Sequence, residues 1–175
     1  SRPGSDHADP ACAIRTALRR LARRYQYLTE EITDADAELK PLVAQTVPDL
    51  VALPGVGTET AAQLLITAGD NPNRLRSEAS FAHLCAAAPI PASSGRTHRH
   101  RLNRGGDRQA NNALHTIALV RMRYDTRTKD YVIRRTAEGM SKKDILRCLK
   151  RFIAREVYKH LISSQTTPKP LLQTA

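Results

Sequence analysis

Apolar residues in the first quarter of the chain fall at Ile14, Leu18, Leu21, Tyr25, Leu28, Ile32, Ala35 and Leu39, in steps that alternate between four and three. A period of 3.5 sustained over nearly four heptads predicts a coiled-coil helix from about Pro10 to Lys40, roughly 45 Å long at ~1.5 Å per residue. Pro41 ends or kinks it, and the coiled-coil segment spans 10–47. Its charges are split by half. Arg15, Arg19, Arg20, Arg23 and Arg24 come first, and Glu30, Glu31, Asp34, Asp36 and Glu38 follow. An antiparallel copy of the same helix would set acid against base along the seam, so a homodimer or higher homo-oligomer is expected; packing on its own domain is the alternative.

The pattern then shortens. "PDLVALPGVGTETAAQLLITAGD" (48–70) reads as a short apolar helix near Leu50–Leu53, a Pro-Gly-Val-Gly turn, Thr58 as N-cap, and a helix to about Ala68. A further helix is expected near Ser77–Ala87, capped by Ser77 and stopped by Pro89 and Pro91. From Asp107 to Tyr124, Ala110, Leu114, Ile117, Ala118 and Met122 form one face of an amphipathic helix. Another spans Thr128 to Glu138 and ends at Gly139. Ser141 and Asp144 then make a capping box for a helix from Lys142 to about Ile162. That helix is expected to bury Ile145, Leu149, Phe152, Ile153, Val157 and Leu161. Lys143, Arg147, Lys150, Arg151, Arg155 and Lys159 cover the rest of its surface, as a phosphate-tracking face or a solvated one. The fold class is mainly α: a long N-terminal coiled-coil helix, then a compact helical domain over 48–163. Residues 1–9 read as disordered or a cloning scar, and 164–175 as a frayed tail.

Composition narrows the function. Aromatic residues are 4% of the 175 and Trp is absent, which favours helices packed on aliphatic side chains. The formal charge is +11, carried wholly by residues 51–175, where 21 Lys and Arg face 9 Asp and Glu. Such a body suits a polyanion, and nucleic acid is the commonest. No stretch approaches the ~18 apolar residues of a membrane span, and no secretory signal appears, so a cytoplasmic protein without membrane contact is expected. Cys12, Cys85 and Cys148 lack zinc-ligand spacing and read as reduced thiols.

Two segments carry candidate chemistry. Gly55, Val56, Gly57 and Thr58 sit in a helix–Pro-Gly-apolar-Gly–helix pattern, that of the helix–hairpin–helix motif. There the glycines permit a tight turn and present backbone N–H groups to a phosphate. A purely structural αα-hairpin uses the same glycines. The second segment is "APIPASSGRTHRHRLNRGGDRQANNAL" (88–114), whose loop over 88–108 holds Arg96, Arg99, Arg101, Arg104 and Arg108. Guanidinium groups fork onto phosphate oxygens, so this density suits backbone contacts to a nucleic acid strand. The alternation of His98, Arg99, His100 and Arg101 allows a short β-ribbon. No third ligand accompanies the two histidines, so no metal site is expected. A Ser hydroxyl becomes a nucleophile on phosphorus only where cations stabilise the developing oxyanion. Ser94, beside Gly95 at the mouth of this Arg cluster, is in such a place.

"LPGVGTETAAQLL" (53–65), "FAHLCAAAPIPASSG" (81–95), "RLNRGGDRQANNAL" (101–114) and "SKKDILRCLKRFIAREVYKHL" (141–161) together resemble the C-terminal transposase domain of the DEDD-type, bridge-RNA-guided insertion-sequence transposases. The coiled coil sits where that family has one. The resemblance implies a bacterial DNA transposase whose serine, here Ser94 with Ser93 as the alternative, attacks a DNA phosphodiester and carries a phosphoserine link to the cut strand. It also implies a guide RNA as partner and, in a RuvC-like domain that these 175 residues lack, four acidic ligands for Mg2+. The chain is therefore expected to be a fragment, inactive alone and without a cofactor of its own. Ala86-Ala87-Ala88 stands where the family usually has Gly-Leu before Pro89, and Asn103-Arg104 where it has Ser-Lys. The rival reading is a helix–hairpin–helix DNA- or RNA-binding and dimerisation module without chemistry. A ribosome-associated RNA-binding protein would fit the charge but leaves the seam and Ser94 unexplained.

Overall fold

A computed structural model describes residues 10–69, 75–93, 95, 96 and 100–166. The expected N-terminal scar (1–9) and most of the tail lie outside the described residues. The fold is mainly helical, and its described residues divide into two compact units, one up to Pro41 and one from Leu42 on.

The first unit is most of helix α1 (Pro10–Thr46). Its apolar seam meets solvent: Ile14, Leu18, Leu21, Tyr25, Leu28 and Ile32 are all 41–73% exposed. Within the helix, Tyr27 donates its hydroxyl to Glu31 Oε1 at 2.8 Å, one turn on. Pro41 does not end α1, which continues to Thr46. A mid-helix proline costs about 3 kcal/mol. Here the turns beyond it are held by burial of Val43 and by Val47, whose N–H donates to Val43 O at 2.9 Å.

The second unit packs α2 (Pro48–Val51), α3 (Thr58–Ala68), α4 (Glu78–Leu84), α5 (Arg108–Tyr124), α6 (Thr126–Ala137) and α7 (Lys142–Thr166). Helix α5 touches α3, α6 and α7, and α7 also receives α2 and α4. The core is made by Leu50, Leu64, Phe81, Leu114, Ile117, Ile145, Ile153 and Val157, all fully buried. The Phe81 and Tyr158 rings lie 6.1 Å apart, and the Tyr158 hydroxyl donates to Leu75 O.

Most ends follow local chemistry. Asp107 caps α5, its Oδ1 accepting from the N–H groups of Gln109 and Ala110 at 2.8 and 3.1 Å. Ser141 Oγ accepts from Asp144 N, the first half of the expected capping box, and its hydroxyl donates to Asp144 Oδ2. Ser77 caps α4, which stops at Leu84, short of the expected Ala87. Thr58 is not the cap of α3. Gly57 is, because Thr60 Oγ1 reaches back to accept from Gly57 N at 3.0 Å and fixes the turn one residue earlier. Phe152 is not core either. It is 49% exposed, with Tyr131 edge-on at 5.7 Å.

Candidate nucleic-acid interface

The Pro-Gly-Val-Gly turn is fastened to the body. Val56 N donates to Leu53 O at 3.1 Å, and Gly55 has φ +74. A side chain at Gly55 would meet Arg121 Cγ at 3.2 Å, Ile117 O at 3.3 Å and Val120 Cγ1 at 3.3 Å. Its freedom thus serves both the turn and close approach to α5. Arg121 pins the same turn, its Nε donating to Pro54 O at 2.7 Å and its Nη1 to Glu156 at 2.6 Å. Val56 is buried. Packing therefore accounts for Gly55 and Val56, while Gly57 stays exposed and Thr58 half-buried at the positive end of α3. Glu59 already places a carboxylate in that first turn, so a phosphate there meets a like charge.

In the basic loop a two-residue ribbon forms. β1 (Ile90–Pro91) pairs antiparallel with β2 (His100–Arg101), Ile90 opposite Arg101 and Pro91 opposite His100. Ser93, Gly95 and Arg96 on the connecting segment are exposed, as are Arg101, Arg104 and Arg108. Ser94 and Arg99, with His98, lie outside the described residues.

The residues that close this loop are structural, which the sequence reading missed. Asn103 donates to His83 O at 3.0 Å and accepts from Gly105 N at 3.0 Å. Asp107 N donates to Leu84 O at 2.7 Å, and Thr67 donates to Asp107 Oδ2 at 2.8 Å. Asn111 Nδ2 donates to Cys85 O and Ala86 O at 2.9 and 3.2 Å, satisfying carbonyls beside Ala86, which sits at φ +53. Burial pushes the Asp107 carboxyl up, but the Thr67 hydroxyl and the amides of Ala110 and Gln109 outweigh it and hold it below its ordinary value. Burial, then the Asp107 charge, pushes the Cys85 thiol up to about 12, so this cysteine is inert packing. Among the described residues no three His, Cys, Asp or Glu side chains are placed to hold a metal ion.

Beside the ribbon lies a cleft of about 370 Å³. Residues 86–89 and 100–103 line one part, and α7 supplies the rest. Arg101, Arg147, Lys150 and Arg151 all reach it. Its one acid, Asp144, is taken up by Arg147 at 2.8 Å and by Ser141. The signal for this was the i, i+3, i+4 spacing of Arg147, Lys150 and Arg151, which sets three of the α7 cations on one side. Arg155, on the same helix, instead pairs with Glu78 at 3.2 Å.

Comparison with known proteins adds a second kind of finding. Residues 49–132 match the sequence model described as Transposase IS116/IS110/IS902 family. The chain is 38% identical over 93 residues to the insertion element IS110 uncharacterized 43.6 kDa protein of Streptomyces coelicolor, covering 53% of this chain and 23% of that one. It is 36% identical over 92 residues to the transposase for insertion sequence element IS1328 of Yersinia enterocolitica, 51% of this chain and 27% of the relative. To the insertion element IS900 uncharacterized 42 kDa protein of Mycobacterium paratuberculosis it is 29% identical over 127 residues, 71% and 32%. The chain thus spans about a quarter to a third of the length of these relatives. No helix among the described residues is long and apolar enough to cross a membrane.

Proposed function

We propose that this chain belongs to the IS116/IS110/IS902 transposases and is the C-terminal, nucleic-acid-binding part of a DEDD-type, bridge-RNA-guided recombinase. One observation carries the reading: the stretch that matches the family model, 49–132, contains Gly55–Thr58, Ser94 and all five loop arginines. On this reading Ser94 Oγ attacks a DNA phosphodiester. The new O–P bond forms as the bond to the departing sugar oxygen breaks, the serine proton passes to solvent, and the sugar oxygen gains one. Attack by another strand's hydroxyl reverses the step and frees the serine, which amounts to strand exchange. Arg96, Arg99, Arg101, Arg104 and Arg108 hold the backbone and offset the charge that builds on phosphorus.

The Mg2+ that the resemblance implies finds no fitting ligand cluster among the described residues, so no step of this chain runs through it. Its acidic ligands are assigned to a RuvC-like domain, and the 175 residues alone are inactive. DNA and a guide RNA are the proposed partners. A second copy joins through α1, and the bacterial cytoplasm is the site of action. In the full-length protein, Ser94→Ala is expected to keep DNA and RNA binding and to abolish both strand exchange and the covalent protein–DNA adduct, with Ser93→Ala as control. Undiminished exchange by both Ser94→Ala and Ser93→Ala would leave a binding and dimerisation module without chemistry.

A further inference from the structure

Apart from Arg101, the residues of the cleft beside the ribbon have no task in the serine chemistry, and its lining is of two kinds. Ala86, Ala87, Ala88, Pro89 and Leu102 give it aliphatic surface, and Phe152 adds a ring that is 49% exposed although the next residue, Ile153, is in the core. That ring is braced, with Tyr131 meeting it at 88°. The same lining carries Arg101, Arg147, Lys150 and Arg151 against Asp144, which Arg147 already pairs, so three positive charges remain in excess. Lys150 is half-buried with its ammonium held by the neutral Asn111 oxygen at 2.8 Å. Burial first, and the Arg147 charge second, push its pKa down, so an incoming anion relieves the site.

A flat aromatic face, aliphatic contact and guanidinium groups within one small cavity match the parts of a nucleotide. A cavity of about 370 Å³ takes a small ligand rather than a folded partner. An acidic peptide would use the cations and leave the ring idle. A duplex keeps its bases stacked and out of reach, so the occupant must come from unpaired strand. Resting on the nucleic-acid reading above, we infer that this cleft seats one unstacked nucleotide of a single-stranded segment, its base on Phe152 and its phosphate among Arg101, Arg147 and Arg151. The site gives the chain a preference for unpaired strand that its loop arginines alone do not supply.

The test uses the whole 175-residue chain and three fluorescent probes of one sequence: a DNA single strand, an RNA single strand and a DNA duplex, read by anisotropy. Phe152→Leu keeps apolar bulk and removes the stacking face. It is expected to weaken single-strand binding about tenfold, the scale of one lost stacked base. Duplex binding should change less than twofold, and Phe152→Tyr should bind like wild type. Unchanged helical circular dichroism and melting separate this from misfolding, and Phe152→Ala repeats the comparison if Phe152→Leu does not fold. A loss confined to the DNA or the RNA strand supports the site and names its source. Equal losses for single strand and duplex, or none, overturn it while the wider reading stands. Failure of the wild-type chain to bind any of the three would sink both.

Discussion

Gly106→Ala is the sharpest perturbation of the frame that carries the basic loop. A Cβ there would lie 2.5 Å from Ala86 N, 2.6 Å from Leu84 O and 2.8 Å from Ala86 Cβ. Two of these are backbone atoms and cannot swing aside. Residue 106 must therefore move by about 1 Å, which breaks the 2.7 Å bond from Asp107 N to Leu84 O and drags the Asp107 carboxylate off the start of α5. Overpacking costs about 1–3 kcal/mol, a lost N-cap about 1 kcal/mol, and the backbone hydrogen bond about 1 kcal/mol. One displacement causes all three, so they overlap, and about 3 kcal/mol is expected. For a unit of this size that lowers the melting temperature by about 10 °C. The adjacent Gly105→Ala is the control. Its nearest neighbour would be Asn103 Oδ1 at 3.7 Å, an ordinary contact, so the change should stay within about 0.5 kcal/mol. Thermal and urea unfolding followed by helical circular dichroism read both. Equal midpoints for the two variants would refute the claim that Gly106 is required by packing.

Two further outcomes follow from the caps and the seam. Asp107, Asp125 and Asp144 are all held below the ordinary carboxylate value, Asp125 chiefly by the Thr128 hydroxyl and amide and Asp144 chiefly by the Ser141 hydroxyl. Their stabilisation is complete above about pH 4 and lost as pH falls through the depressed folded values, so the melting temperature should hold from pH 7 to 5 and drop below about pH 4; a melting temperature that rises on acidification contradicts this. Leu21→Glu, in the middle of the exposed seam, should convert a sedimenting dimer to monomer, whereas a wild-type chain that is monomeric at high concentration rules out pairing through α1.

What the sequence disclosed, and what it hid, divides by distance along the chain. Helices α5 and α7 were legible because their evidence is local: Ser141 lies next to the turn it caps, and Leu114, Ile117, Leu149 and Ile153 repeat at helical spacing. Pro41 does not stop α1 because its local cost is outweighed by burial of Val43 and Val47 in a core built from distant residues. Phe152 misled for the opposite reason. Periodicity places it at the edge of the buried face, and only the approach of residues 86–89, more than sixty positions away, turns that edge into the wall of a cleft. The Asn103, Gly106 and Asp107 contacts to His83, Leu84 and Thr67 are likewise long-range, so nothing local in the sequence announces them. Ser94 was singled out by resemblance and by the charge around it, and together with Arg99 it stays outside the described residues.

The two segments that carry candidate phosphate contacts are held by the two ends of one helix. Gly55 lies against Ile117, Val120 and Arg121 near the C-terminal part of α5, and the basic loop runs into Asp107 and Arg108 at its start. About eleven residues separate these points, about 16 Å at ~1.5 Å per residue. That is close to half a turn of B-DNA, given about 34 Å per turn. Asp107 makes the spacing rigid, since it caps α5, accepts from Thr67 on α3 and hangs from the last carbonyl of α4. Sliding α5 and its cap against α3 and α4 would break the bonds to Thr67 and Leu84 together. If both segments meet backbone phosphates, the distance between those phosphates is therefore fixed by the packing of Gly106 and Asp107, while the arginines decide how tightly the loop end holds.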